Sequence, residues 1–402
     1  MLNKKKLNYK NKKIMETKQK KGNESQKKTV KNSSLIDPTA KIHPTAIVDP
    51  TVKIGANVEI GAHVIIHHDT IIGKNSKVLP NSTIGSSVEI GEGSIIGEKS
   101  ILEDNVFIGE EVELGASTII GKASKIGKKS ILGANVKVHP NSCLGENINV
   151  GDSCEIGRNV NIAKEVCIGK KTEVWKYIQI GSGTTIGERV EIGSYLWLDE
   201  EKIGKVPTKI GVKCTIGDGA KLQKCTIGDG VTIGEGVKIL IEYGSPTIGE
   251  KTEIGSYSKI HYSRIGASCR LGKNVCIGPN STVGSNTRIG DDTELECWVT
   301  IGSNTTIGNN VDLCKKVDVG EKVSIGTNAT INRESNVHSD AKLQRGVCLG
   351  TNCTIRASSE ISSGVEVADG KDITAGDRVE KEKKGGLSGY DVIRLAESFY
   401  VL

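Results

Sequence analysis

The sequence predicts an all-β chain in which very short strands alternate with corners and stack as parallel ladders into one long solenoid. Three observations predict it. Every sixth residue from Ile36 to Leu198 is Ile, Leu or Val, 28 positions in succession without a slip. Gly follows the aliphatic residue at 18 of those positions, as at Gly55, Gly61, Gly73 and Gly85. Aromatic residues make up only 3% of the chain, with two Phe among 402 residues.

A period of six fits neither a 3.6-residue helix nor a plain alternating strand, so the repeat is read before any local propensity. Each unit is an aliphatic residue, Gly, two polar residues, a small inward residue and an outward one. Gly at the corner is expected for backbone angles that side chains resist, and Asn57, Asn135 and Asn159 tolerate left-handed geometry for the same reason. A narrow prism built this way holds Ile, Val and Leu but has little room for rings. The hexad pattern resembles the bacterial hexapeptide-repeat acyltransferase superfamily over roughly residues 35–380. That resemblance implies a parallel β-helix with three strands and 18 residues per coil, wound left-handed.

Residues 1–34 hold twelve Lys and two Glu, a net of +10, which leaves −4 on the rest of a chain whose overall charge is +6. This polar, basic tail is expected to be disordered. It reads as a solubilising extension, or as codons upstream of a start at Met15, rather than as a contact with nucleic acid or an anionic surface, because it lacks the interleaved aromatic and Arg pattern that base stacking favours. Residues 35–198 form the first regular run. The outward residues on one of its walls are Ile47, Ile65, Thr83, Ile101 and Ile119, before the column turns to Lys137, Glu155, Glu173 and Glu191. Four Ile on one wall predict a homo-oligomeric contact, and the resemblance implies a trimer.

From 199 to 264 the phase is disturbed. Leu198 to Ile210 spans twelve residues with Gly204 where an aliphatic belongs; Leu222 to Ile227 and Ile260 to Ile265 span five each; Ile239 to Ile248 spans nine. Insertions in a solenoid emerge at corners, where binding surfaces are built. The loops Trp197–Pro207 and Leu240–Pro246 are the two expected here. Phase then holds from Ile265 to Val379, with outward residues such as Arg264, Arg270, Glu294, Thr300 and Asp312 that predict a solvated second half. Counting 57 hexads gives about 19 coils and, at about 4.8 Å per stacked strand, a rod of about 90 Å. Residues 265–380 complete the β-helix, and 381–402 are a charged linker followed by Ile393, Ala396, Phe399 and Tyr400 at helical spacing, a short C-terminal cap helix that would cover a strand edge.

The eleven cysteines are odd in number and include no C-x-x-C pair, so neither a disulfide framework nor a zinc ribbon is indicated. Cys154, Cys214, Cys269 and Cys353 take the small inward position. No apolar run is long enough to span a bilayer, and a cytoplasmic setting is the expectation. The sequence contains no H-E-x-x-H, nucleophile elbow or phosphate loop. No metal is expected, since His63 and His68 lack a third His two coils earlier.

The resemblance implies acyl transfer from a thioester on CoA or an acyl carrier protein to a sugar or amine acceptor, with a His as general base in a groove between subunits. His43, His67, His139, His261 and His338 each take a corner position where Gly is usual. His67 follows Ile65 and Ile66 at the end of the apolar wall, with His139 and Trp175 on the same corner at multiples of 18. His261 lies in Ser258-Lys-Ile-His-Tyr-Ser-Arg-Ile-Gly266, similar to the stretch around the catalytic His of the acetyltransferase domain in the bifunctional UDP-N-acetylglucosamine-forming enzymes. Here Arg264 stands for that family's Tyr and Cys276 for its Asn. The opening Ile42-His-Pro-Thr-Ala-Ile-Val48 resembles the first coil of the lipid A acyltransferases. His261 and His67 are therefore the candidate bases. The competing expectation is a non-catalytic scaffold rod, because 48 of the 57 hexads lie in two unbroken runs.

Overall fold

A computed structural model describes residues 35–193, 208–240 and 245–381. The Lys-rich tail, most of the two irregular loops, Leu198, Gly204 and the C-terminal cap helix lie outside the described residues. Within them the chain is all β, with 55 strands of two or three residues. The first three strands, β1 (Lys41–Ile42), β2 (Ile47–Val48) and β3 (Lys53–Ile54), each start one wall. Every later strand stacks on the wall of the strand three before it, giving parallel ladders of 19, 18 and 18 strands, called here faces one, two and three. Ile42 pairs with Ile60, Ile47 with Ile65 and Lys53 with Ile71, so the coil is 18 residues. The expected architecture of about 19 coils is the observed one.

The strands are short because only two residues fit between corners. The second is always inward: Ile66, Ile84, Leu102, Ile120 and their equivalents are essentially fully buried in a single continuous core. Where the small inward position carries a hydroxyl or thiol, it satisfies itself on the next coil. Ser82 Oγ donates to the Gly97 carbonyl at 2.8 Å and Cys154 Sγ to the Gly169 carbonyl at 3.0 Å. The four cysteines assigned inward are all buried, and all eleven are free thiols.

The reason for the glycines differs from the expectation. Residues with left-handed φ recur every six residues, but two positions beyond the Gly: Asn57 at 56°, Asn75 at 58°, Asn135 at 57°. Asn is there for the reason given. Gly itself is needed because the next coil passes too close for a Cβ. A Cβ on Gly97 would lie 2.3 Å from the Gly115 carbonyl oxygen, and one on Gly61 would lie 2.7 Å from the Pro80 nitrogen. Close packing of coil on coil, rather than backbone angle, sets that position.

The apolar column of face two is in register, Ile47 to Ile65 to Thr83 to Ile101 to Ile119. Ile47 is 64% and Ile101 42% exposed, whereas Ile65 and Ile119 are half-buried between neighbours. Beyond Ile265 most outward residues are polar and exposed, as expected for a solvated half, while Cys276, Thr330, Cys348, Thr354 and Glu360 are half-buried.

Candidate functional site

All four length changes fall at one place. The chain leaves face two after Glu191–Ile192 and rejoins on face three at Lys209–Ile210; it leaves face two again after Lys238–Leu240 and rejoins at Thr247–Ile248. The two shortened spacings are also passages from face two to face three, at Gln223–Lys224 and at Tyr262–Ser263. Four successive coils are therefore irregular at the same edge, and the other two edges stay regular through them. The intervening register absorbs the changes: Thr185 pairs with Thr215, thirty residues on, yet Thr215 pairs with Thr232, seventeen on.

The same edge carries four histidines: His67 with its neighbour His68, His139 and His261. His67 and His139 each follow a face-two strand, Ile65–Ile66 and Lys137–Val138, and His261 ends another, Lys259–His261. Phase along the sequence aligns His67 with His139. It does not align His261, because three unequal length changes intervene. His67 and His261 follow the second and twelfth strands of face two. Ten coils at about 4.8 Å separate them by about 48 Å, so the two candidate bases do not share a site within one chain.

Their surroundings differ. His67 is exposed beside His68, whose Nδ1 lies 2.9 Å from Asp69 Oδ2. Asp49, one coil earlier, has its carboxyl held below the usual range first by hydrogen bonds from the Thr51 amide and hydroxyl, and then by both imidazoles. His139 is 30% exposed, and its Nε2 lies 2.5 Å from Glu155 Oε1. That hydrogen bond, followed by the nearby Lys137 charge, holds Glu155 below the usual carboxylate range. Two of the four edge histidines, His68 and His139, have the ring on a carboxylate among the described residues. The pair spans sixteen residues and two coils, and only the phase arithmetic of neighbouring columns would have exposed it in the sequence.

His261 closes a three-residue strand and pairs in register with Leu240, where the second loop departs. Beside it on the face-three side is a polar hollow of about 220 Å³ lined by Ser245, Thr247, Tyr262, Arg264, Asn280 and Thr282. No carboxylate lines it. A guanidinium with hydroxyls and an amide around it suits a phosphate or carboxylate group. His261 itself is not among the lining residues. A larger hollow, about 500 Å³, lies at the start of face one among Lys41, His43, Glu59, Lys77 and Leu79. There Glu59 is already paired with both lysines, at 3.4 and 3.3 Å.

Aromatic residues, scarce elsewhere, also gather at this edge. Trp175 packs over Gly193, where a Cβ would come within 2.6 Å of the indole's own Cβ. Tyr262 and Trp298 flank Asn280 on three successive coils, and Lys315 Nζ stands 4.9 Å from the Trp298 ring centre. In the sequence, phase places Trp175 on this corner but not Tyr262 or Trp298, because unequal length changes intervene.

Comparison with known proteins agrees with the fold. Residues 245–285 and 268–302 match the family described as bacterial transferase hexapeptide (six repeats), and residues 30–131 match the GMPPB C-terminal domain. The hexapeptide-repeat resemblance is thus borne out. A comparison with curated proteins found no match. Similar solved structures include LpxA, a UDP-N-acetylglucosamine acyltransferase from Bacteroides fragilis, at 23% identity over 39% of this chain and 68% of that one, TM-score 0.38. A mutant perosamine N-acetyltransferase from Caulobacter crescentus, in complex with CoA and GDP-perosamine, is 21% identical over 31% of this chain and 53% of that one, TM-score 0.19. The acetyltransferase domain of PglB from Neisseria gonorrhoeae, in complex with acetyl coenzyme A, is 21% identical over 31% and 54%, TM-score 0.20. The chain spans 68% of the first of these and about half of the other two.

Proposed function

We propose that this is an acyl- or acetyltransferase-like protein that moves an acyl group from a CoA or acyl-carrier-protein thioester to a sugar or amine acceptor. The observation that carries the reading is the convergence of the four irregular corners and four histidines on one edge of an otherwise uniform rod. Acyl transfer needs a base for the acceptor N–H or O–H and donors for the oxyanion that develops on the thioester carbonyl. A neutral imidazole at the edge accepts the acceptor's proton as nitrogen or oxygen attacks the carbonyl; the tetrahedral intermediate collapses, the C–S bond breaks, and the proton leaves with the thiolate.

His261 is the first candidate for that base and His67 the second. His261 stands beside the anion-suited hollow, where Arg264 and the hydroxyls would take a phosphate of donor or acceptor. The Glu155 carboxylate gives His139 a fixed ring orientation, the arrangement a general base requires, so His139 joins the candidates on geometry alone. The proposed setting is cytoplasmic, and among the described residues no helix is long and apolar enough to cross a membrane. The proposed assembly is a homo-oligomer through Ile47, Ile65, Ile101 and Ile119, a trimer if the resemblance extends so far.

A non-catalytic rod is the second reading, favoured by the unbroken regularity of 265–379 and by His261 lying outside the hollow. Isothermal titration of acetyl-CoA and CoA into the purified protein separates the two, repeated with His261→Ala, His139→Ala and His67→Ala. Micromolar binding, with acetyl transfer to an amine or sugar lost in one variant, is the expected result and names the base. Absence of binding and of transfer from any thioester donor supports the rod.

A further inference from the structure

One exposed aromatic side chain stands away from the histidine edge. Tyr257 lies on the edge between faces one and two, on the corner from Glu253–Ile254 to Lys259–His261. Its φ is 62°, in the left-handed region that a bulky residue seldom occupies. On neighbouring coils that position is held by Gly219, Gly236, Asn274 and Asp292, residues that tolerate the conformation. Tyr177 and Trp298 share the conformation, but on the histidine edge.

The ring is held in one place. It lies on Gly236, where a Cβ would come within 2.7 Å of its Cδ1 and 2.9 Å of its Cε1. Its hydroxyl donates to Glu235 Oε1 at 2.9 Å, and its amide donates to the Glu235 carbonyl at 2.8 Å. The side chain is nonetheless 55% exposed. Glu235 has no cationic partner among the described residues, so Oε2 remains available to accept a hydrogen bond. A fixed aromatic ring beside an unneutralised carboxylate is a surface suited to a cation.

Tyr257 and His261 bound face two on its two sides. They are four residues apart, so they differ in level by about 1 Å of the roughly 4.8 Å that one coil climbs. In a closed ring of parallel copies that turns face two to the axis, the assembly proposed above through the Ile column, the edge between faces two and three of each copy abuts the edge between faces one and two of the next. Rotation about an axis parallel to the rod leaves levels unchanged. Tyr257 of the neighbouring copy therefore comes opposite His261, whereas within one chain the width of face two separates them.

We propose that Tyr257 and Glu235 of one copy complete the His261 site of the next, where they receive the acceptor as a primary ammonium. This rests on the transferase and oligomer readings above. Ring and carboxylate form one wall of the groove, and the imidazole with the Arg264 hollow forms the other, so cationic and anionic groups of the ligands are sorted across it. The bound ammonium releases one proton to water, and the transfer described above proceeds on the free amine.

The test has two arms on the full chain. First, Tyr257 is replaced by photoreactive benzoylphenylalanine, and isotopically labelled and unlabelled copies are mixed and irradiated. The expected cross-links join different copies and land within residues 259–264. Cross-links confined to one copy, or landing on the edge between faces one and two, overturn the proposal. Second, acetyl transfer to glucosamine is measured for Tyr257→Asn, which suits the left-handed position, Tyr257→Phe and Glu235→Gln. The expected result is a KM for glucosamine raised at least tenfold by Tyr257→Asn and by Glu235→Gln, with kcat and acetyl-CoA binding little changed, and restored to within a few-fold in Tyr257→Phe. An unchanged KM, or a parent that binds acetyl-CoA but transfers nothing to glucosamine, overturns the ammonium assignment. A parent that binds no donor overturns the transferase reading instead, and the cross-link alone then decides whether the two edges meet.

Discussion

Gly97 illustrates how the residue scale is governed by neighbours eighteen positions away. Its missing Cβ leaves room for the Gly115 carbonyl, while its own backbone angles are ordinary. Gly97→Ala is therefore expected to destabilise by about 1–3 kcal/mol, the usual cost of overpacking. Gly219→Asn is the control: it has a left-handed φ of 64° and nothing near its Cβ, and Asn tolerates that conformation. Thermal unfolding should lower the midpoint for the first and leave it nearly unchanged for the second. Thiol chemistry at this scale follows burial. Cys225 is fully buried and its thiol is pushed up to about 12 by desolvation, whereas Cys143 and Cys167 are exposed on the outward columns. A thiol-specific reagent at neutral pH should label Cys143 and Cys167 in the native protein, with Cys225 reacting only after unfolding.

At the scale of the strand and its corner, the sequence was legible where the signal is local. The aliphatic of each hexad is the buried residue of each strand, and Asn at the left-handed position followed from conformational tolerance. The reason for Gly was not, because it rests on a contact with the next coil. Ties between coils are also carried by charge: Asp152 with Lys170 at 3.0 Å, Glu334 with Lys316 at 3.0 Å, and Asp372 with Arg356 at 2.7 Å. In each case the cationic partner's hydrogen bond lowers the carboxyl's pKa. A carboxyl with a folded pKa below its unfolded one stabilises the fold above the unfolded value, near 4, and loses that contribution as pH falls through the folded value. The thermal midpoint should thus be flat near neutral pH and fall below about pH 4, in small increments because every one of these groups is exposed.

Across the whole molecule, the rod is a uniform scaffold with one irregular edge. The sequence located the disturbed stretch at 199–264, but not that its four length changes share an edge or that the first three carry His261 round to the edge of His67 and His139. Placing them requires adding unequal insertions and deletions to an 18-residue phase, and an error of one residue moves a side chain from the core to the surface. His67 and His261 were legible as candidates, whereas the Glu155 carboxylate behind His139 was hidden because its partner lies sixteen residues away on the next coil. On the proposed function, this edge receives the thioester donor. Amide hydrogen exchange of the full chain, with and without saturating acetyl-CoA, tests it most directly. Slowed exchange confined to Gln223–Lys224, Leu240 and His261–Arg264 is the predicted result; saturating donor that leaves those amides unchanged, or that protects only the two regular edges, would contradict it.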